Sequence, residues 1–450
     1  MKIKLIKLFS VLCALFLVLA MSVSQTFAVS YPNKVATKSE SILLVNMDTG
    51  QAVFEKEADT KRYPASTTKI MTYIVAVENI ADLDNTKIDI TKSIVEKIEE
   101  RGSYPESIGE KVGKKMSVID LLYCMMVPTG NDAAIVLADY VGGGDIDKFV
   151  QMMNEKAEEI GCENTHFVNP EGIHDSEHYT TARDLYKMAT YALTLPKFAE
   201  ITNTPDYCIE GEDYPVVTTN YIIDEWRGGE YYYMYAKGIK AGTTDEAGRC
   251  LVTTATADGY SYMAVLLKAP YKEGTYETND TFFDAADLFR WSLTELELKT
   301  VASQQTPICE QKIELAWNKD SVHLVPEKNI NVIVPENYQD KWITVEKNLP
   351  ESIDAPIKKD TVVGTVTVYY QDDKMTQKQE LVTVNLVPDE NVEQSGVLFV
   401  VRVITTILQS FWFIGIITII AIILAAYFII GRVNRKNNKK RNKVKNYRNL

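Results

Sequence analysis

The twenty residues from Phe411 to Ile430 carry no charge, and as a helix they extend about 30 Å, the thickness of a bilayer's hydrocarbon core. This run is predicted to be a transmembrane helix over residues 411–431. Behind it come Arg432, Arg435, Lys436, Lys439, Lys440, Arg441, Lys443, Lys445 and Arg448 with no acid among them, a bias that keeps a tail (432–450) in the cytoplasm. At the other end, Lys2, Lys4 and Lys7 precede the uncharged apolar run Leu8 to Val23, and Thr26-Phe27-Ala28 supplies small residues at cleavage-type positions. Residues 1–28 therefore read as a secretory signal peptide, with an uncleaved anchor helix as the alternative. The expected topology is an extracytoplasmic body, a single C-terminal span in a cell membrane, and a short basic tail at the lipid headgroups.

The chain's net charge is −13, yet three lysines lie in the signal and ten basic residues follow position 395, neither offset by acids. The body between them therefore carries −26. Such a body excludes nucleic-acid binding through bulk electrostatics, so an anionic substrate must be met by local groups. Five cysteines remain after the signal: Cys124, Cys162, Cys208, Cys250 and Cys309. Their odd number, wide spacing and lack of any C-x-x-C pair read as mostly buried thiols, with one bridge left open. His166, His174, His178 and His323 form no metal-binding spacing, and no metal or organic cofactor is expected.

Along the body, Ile42 to Glu55 reads as two strands around a Gly50 turn. Helical patterns follow over Thr67–Val77, Val118–Val127 (opened by the capping pattern Ser117 to Asp120), Asp132–Val141, Ile146–Ile160 and Thr181–Leu193. Strands return at Gly238–Ala241, Cys250–Ala257 and Tyr260–Lys268, and Thr281–Leu296 closes the unit as a helix. This order predicts a mixed α/β domain over residues 31–296. Short β-branched strands over residues 298–388 then predict a small all-β module, followed over 389–410 by a polar linker and an apolar segment with Arg402 that reads as an interfacial helix.

Ser66 and Lys69 stand one helical turn apart, which places a hydroxyl and an amine on one face. In so apolar a helix the lysine loses proton affinity and can act as a base toward the serine. By itself S-x-x-K also spells a helix cap followed by a solvated lysine, so other segments have to decide. Two do: Pro128-Thr129-Gly130-Asn131-Asp132-Ala133 in a tight interhelical connection, and Lys240-Ala241-Gly242-Thr243-Thr244 on a strand. Gly242 there is read as allowing close approach of a substrate backbone.

Taken in order, these three motifs resemble the signature of penicillin-recognising serine enzymes. The surrounding words Ala65-Ser66-Thr67-Thr68-Lys69, Asn169-Pro170-Glu171-Gly172, Thr181-Ala182-Arg183-Asp184-Leu185 and Thr244-Asp245-Glu246-Ala247-Gly248 are similar to those of low-molecular-mass penicillin-binding proteins of the D-alanyl-D-alanine carboxypeptidase family. The resemblance covers about residues 35–388. It implies the β-lactamase/transpeptidase-like α/β fold, an antiparallel sheet flanked by helices plus a helical lobe. It also implies roles for individual residues: Ser66 as nucleophile, Lys69 as proton acceptor, Thr129 as proton relay and Asn131 as a substrate-amide ligand. Lys240, Gly242, Thr243 and Thr244 fall on the substrate-carboxylate side, with the backbone N–H groups of Ser66 and Thr243 as oxyanion hole. The implied partners are peptidoglycan stem peptides ending in D-Ala-D-Ala, β-lactams and the lipid bilayer.

Two departures stand out. Thr129 replaces the usual serine, and Ala241 replaces the threonine of K-T-G, removing a hydroxyl that meets the substrate's terminal carboxylate. A degenerate member that binds wall peptide with little turnover is therefore the competing expectation. A β-lactamase needs an added carboxylate for its deacylating water, usually in an E-x-x-L-N segment, and the chain has none.

Overall fold

The computed structural model describes residues 31, 33–108, 112–272 and 278–446; the signal-peptide reading of residues 1–28 lies outside them. The chain divides into two compact units. One takes the residues up to Val301 with Asn331–Glu346 and Thr367–Thr383, the other Ala302–Ile330, Lys347–Val366 and Val384–Leu450.

In the first unit, β1 (Ser41–Asn46) and β2 (Ala52–Lys56) form the expected hairpin, with Gly50 at φ +75° in its turn. Every residue of β1 is buried, as expected of a strand covered on both faces. It pairs antiparallel with β5 (Tyr260–Ala269), so that Ile42 faces Leu266. The strands β3 (Ala236–Thr244) and β4 (Gly248–Ala257) complete a five-stranded antiparallel sheet in the order β2-β1-β5-β4-β3. Helix α7 (Asp280–Glu295) packs on β4 and β5.

The helical lobe is built around α1 (Lys69–Asn79), whose residues from Lys69 to Val77 are all buried. A helix apolar on all sides belongs in the middle of its lobe. Accordingly α3 (Val118–Met126), α4 (Asn131–Gly142), α5 (Ile146–Ile160) and α6 (Ala182–Ala192) all pack against it. The predicted cap at Ser117 is present: its Oγ accepts from Asp120 N at 3.0 Å and donates to the Asp120 carboxylate at 2.7 Å. The amphipathic helix α2 (Lys92–Glu100) was not read from the sequence, because only Ile94 and Ile98 are buried among charged neighbours.

In the second unit, β6 (Cys309–Glu314) pairs antiparallel with β7 (Ser321–Pro326), and residues 386–388 pair antiparallel with 324–326. The segment expected as a polar linker is hydrogen-bonded throughout: Asp389 N donates to His323 O (3.0 Å), Val392 N to Ile357 O (2.9 Å) and Ser395 N to Leu315 O (2.7 Å). Helix α8 (Gly396–Gln409) follows, and Arg402 within it binds Glu314 Oε2 at 2.9 Å and Asp354 Oδ1 at 2.6 Å. Ser410 alone separates α8 from α9 (Phe411–Asn446). Helix α9 contains the one helix among the described residues that is long and apolar enough to cross a membrane, and it continues without a break into the basic segment. None of the five cysteines forms a disulfide.

Candidate active site

The S-x-x-K segment does not enter directly as an α-helix. Ala65 to Thr68 form a 3₁₀ turn with Ala65 at φ +47°, and α1 begins only at Lys69. Local hydroxyls clamp this turn, Thr67 Oγ1 donating to Pro64 O at 2.6 Å and Thr68 Oγ1 to Ala65 O at 2.8 Å. The side-chain relationship expected from the spacing is nevertheless present, with Lys69 Nζ 3.0 Å from Ser66 Oγ.

Two further acceptors fix the orientation of the amine. Lys69 Nζ donates to Asn131 Oδ1 and to the carbonyl oxygen of Glu171, both at 2.6 Å. A neutral amine has two N–H groups and one lone pair; with both N–H groups committed, the lone pair is left facing Ser66 Oγ. Lys69 has no exposed surface. Burial pushes its pKa from about 10.5 down to about 7, against the charges of Glu171 and Asp132, which raise it. The arrangement is chemically a serine beside a fixed amine of lowered proton affinity.

Residues 127–130 connect α3 to α4, and Asn131 opens α4. Thr129 adopts φ +73°, an uncommon conformation for a β-branched residue. Its Oγ1 accepts from Lys240 Nζ at 2.6 Å and lies 2.8 Å from Thr219 Oγ1. A Cβ on Gly130 would stand 2.8 Å from the backbone oxygen of Cys124 as well as 2.1 Å from Ser107 Oγ, so the residue type is set by packing. Asp132, next in line, accepts from Ser107 N, Ser107 Oγ, Ile108 N and Ala133 N at 2.6–2.9 Å. These bonds anchor the loop that precedes residue 109 to the start of α4.

On β3, Lys240 is buried and also donates to Ala241 O at 3.0 Å. Burial first, and the nearby charge of Lys69 second, hold its pKa well below the ordinary lysine value. The close approach expected at Gly242 comes from the protein itself. A Cβ there would lie 2.6 Å from Ser66 N and 3.1 Å from both Ser66 Cα and Thr67 N, so the missing side chain lets β3 abut the serine turn. Thr243 is exposed and Thr244 half-buried. Arg249 pairs with Thr243 across the strands, and its guanidinium lies over the Tyr271 ring.

Three contributors were not among the candidate site residues read from the sequence. Glu171 supplies a backbone acceptor to Lys69 from a loop held by Asn169, whose Oδ1 accepts from Gly172 N (2.7 Å) and whose Nδ2 donates to Ile173 O (2.8 Å). His178 accepts from Val168 N through Nδ1 at 3.2 Å, which leaves its Nε2 as the donor to Thr68 Oγ1 at 2.8 Å. Burial lowers the His178 pKa to about 3, in keeping with that neutral form. Thr219 buttresses Thr129. The fixed word Asn-Pro-Glu-Gly was the available signal for the first; the other two are reached only through tertiary contacts.

A separate cavity of about 450 Å³, lined by Trp291, Glu295, Trp342, Tyr370 and Asp372 among others, contains none of these residues. Among its lining residues no nucleophile stands beside a base, in contrast to Ser66 and Lys69.

A family model described as D-alanyl-D-alanine carboxypeptidase matches residues 25–271, and a model of the penicillin-binding protein 5 C-terminal domain matches residues 297–394. The D-alanyl-D-alanine carboxypeptidase DacC of Escherichia coli is 30% identical over 384 residues, covering 82% of this chain and 88% of that protein. The D-alanyl-D-alanine carboxypeptidase DacF of Bacillus subtilis is 26% identical over 339 residues, covering 75% and 82%. Among solved structures, penicillin-binding protein 5 of Haemophilus influenzae superposes with a TM-score of 0.66 at 23% identity, over 81% of this chain and all of that one, a likeness of fold.

Proposed function

Because this chain belongs to the D-alanyl-D-alanine carboxypeptidase family, we propose that Ser66 carries the acyl group through which a terminal D-alanine is removed from peptidoglycan stem peptides. Ser66 Oγ attacks the carbonyl between the two D-alanines while Lys69 Nζ takes the hydroxyl proton. The tetrahedral intermediate collapses as the C–N bond breaks, and the departing amine receives a proton through Thr129. Water then cleaves the ester. Asn131, its Oδ1 committed to Lys69, presents its NH₂ group to the substrate's amide carbonyl. Lys240, Gly242, Thr243 and Thr244 form the side that meets the terminal carboxylate, and the amides of Ser66 and Thr243 receive the oxyanion. β-Lactams enter by the same attack.

The observation that carries this reading is the buried amine 3.0 Å from Ser66 Oγ, with its two other directions taken by Asn131 and Glu171. Residues 31–296 form the catalytic domain, 298–388 the β-rich domain, 389–410 the connection, 411–431 the span and 432–450 the inner tail, with the body outside the cell membrane. The test is to incubate the full chain with a labelled penicillin and with a pentapeptide ending in D-Ala-D-Ala, alongside Ser66→Ala. Label and released D-alanine from the parent, and neither from the variant, are expected. Label without turnover would favour the degenerate reading that Ala241 motivates. A penicilloyl adduct on Ser66→Ala would end the serine assignment.

A further inference from the structure

The side chain of Glu171 takes no part in the steps above, yet it is only 2% exposed, and its Oε2 has no hydrogen-bond partner among the described residues. A buried carboxyl oxygen without a partner is costly, and it persists where something else makes use of it. The loop gives it no freedom to leave. Gly172 sits at φ +91°, where a Cβ would stand 2.1 Å from Ala65 O, and Pro170 O accepts from Thr72 Oγ1 at 2.5 Å. The Glu171 backbone oxygen is itself 2.6 Å from Lys69 Nζ. The same residue thus fixes the direction of the amine and places a titratable group in its surroundings.

We propose that the Glu171 side chain is a positioning group that sets the protonation of Lys69, its carboxylate favouring the ammonium and so fixing the pH above which the free amine faces Ser66. Ionised, Glu171 favours the lysine ammonium; protonated, it leaves the free amine that Ser66 requires. Burial acts on both partners in the same sense, raising the Glu171 pKa and lowering that of Lys69, while the charge of each on the other opposes this.

The other charged groups that act here are limited. Arg101, at the end of α2, favours the Glu171 carboxylate, and Asp132, at the start of α4, favours the Lys69 ammonium. Lys240 on β3 feels the Lys69 charge, and His178 is kept neutral by its burial and its two ring hydrogen bonds.

The test uses the full-length chain and a fluorescent penicillin, with acylation rates measured from pH 5 to 9 for the parent, Glu171→Gln and Glu171→Asp. Glu171→Gln removes the charge at nearly constant shape. Without that charge Lys69 binds its proton less tightly, and the acid limb is expected to move down by roughly one pH unit. Glu171→Asp keeps a carboxyl and should leave the limb near its parental position. A rate that falls equally at every pH in Glu171→Gln, a limb that stays put, or a Glu171→Gln chain that no longer folds would each assign the residue to packing and overturn the proposal.

This inference rests on Lys69 acting as the base for Ser66, but the two can fail separately. Lys69 can be titrated by NMR of side-chain-labelled lysine, its signal assigned by loss in Lys69→Ala, without any turnover. A parent chain that takes no penicillin would sink the functional reading. An unchanged Lys69 titration in Glu171→Gln would sink this one.

Discussion

Gly242 and Ser66 meet backbone to backbone: the place where a side chain at 242 would begin is 2.6 Å from Ser66 N. The obstructing atoms are main chain, so they cannot swing aside. Gly242→Ala is therefore expected to displace the serine turn from β3. Misplacement of about 1 Å costs roughly a hundredfold in rate, and penicillin acylation should fall by about that factor. Far-ultraviolet circular dichroism should stay unchanged, since the sheet has four other strands. Undiminished acylation would show that the serine turn tolerates a wider gap.

Lys69 should govern the pH dependence of acylation. Its pKa in the folded chain lies at about 7, and only the neutral amine accepts a proton from Ser66. The rate is thus expected to be low below pH 6, to rise through pH 7, and to level off above it, as followed by stopped-flow penicillin binding. A limb near the ordinary lysine value would contradict the buried geometry.

Stability should weaken in acid partly through His178. Its folded pKa of about 3 lies below the unfolded value of about 6.5, so the unfolded chain binds the proton first. The contribution is complete above pH 6.5 and is lost progressively as pH falls toward 3. Urea unfolding at pH 7 and pH 5 should show a drop in stability for the parent and a smaller drop for His178→Gln. Equal drops would mean that other groups carry the acid sensitivity.

Ala241 decides how well the site meets a carboxylate. A hydrogen bond to a charged group contributes roughly 1.5–3 kcal/mol, and its lower end is about tenfold in kcat/KM. Ala241→Thr should bring that gain on a D-Ala-D-Ala peptide and far less on its C-terminally amidated form. Equal gains on both substrates would separate the effect from carboxylate recognition.

The orientation of the chain is open to a direct check. Protease added to intact protoplasts should digest the body and spare an epitope tag placed after Leu450, because nine basic residues follow the span. Loss of the tag from sealed cells would reverse the topology.

What the sequence revealed and what it hid follow the range of the interactions concerned. The Ser66–Lys69 relationship is set by one turn of backbone, and the Ser117 cap by three residues, so spacing alone located both. The strands around Lys240 were legible because β-branched runs end at Gly248 and Gly259. Their extent was underestimated, since β3 begins at Ala236, before Gly238. The abrupt 3₁₀ entry at Ala65 was missed because alanine gives no hint of a positive φ. The serine's own backbone fills the gap at Gly242, where a substrate was expected, because a strand more than 170 residues away folds onto it. His178 and Thr219 join the site across 110 and 90 residues, and no local pattern encodes such contacts, whereas Glu171 lies within the word Asn-Pro-Glu-Gly.

Ser410 is the whole of the joint between α8 and α9, and its hydroxyl is used up in capping Phe413 N at 3.2 Å. A coil of many residues stretches and recoils like a spring, whereas one capped residue has almost no compliance. A displacement of α9 is therefore transmitted to α8 and, through Arg402, to Glu314 and Asp354 in the same unit.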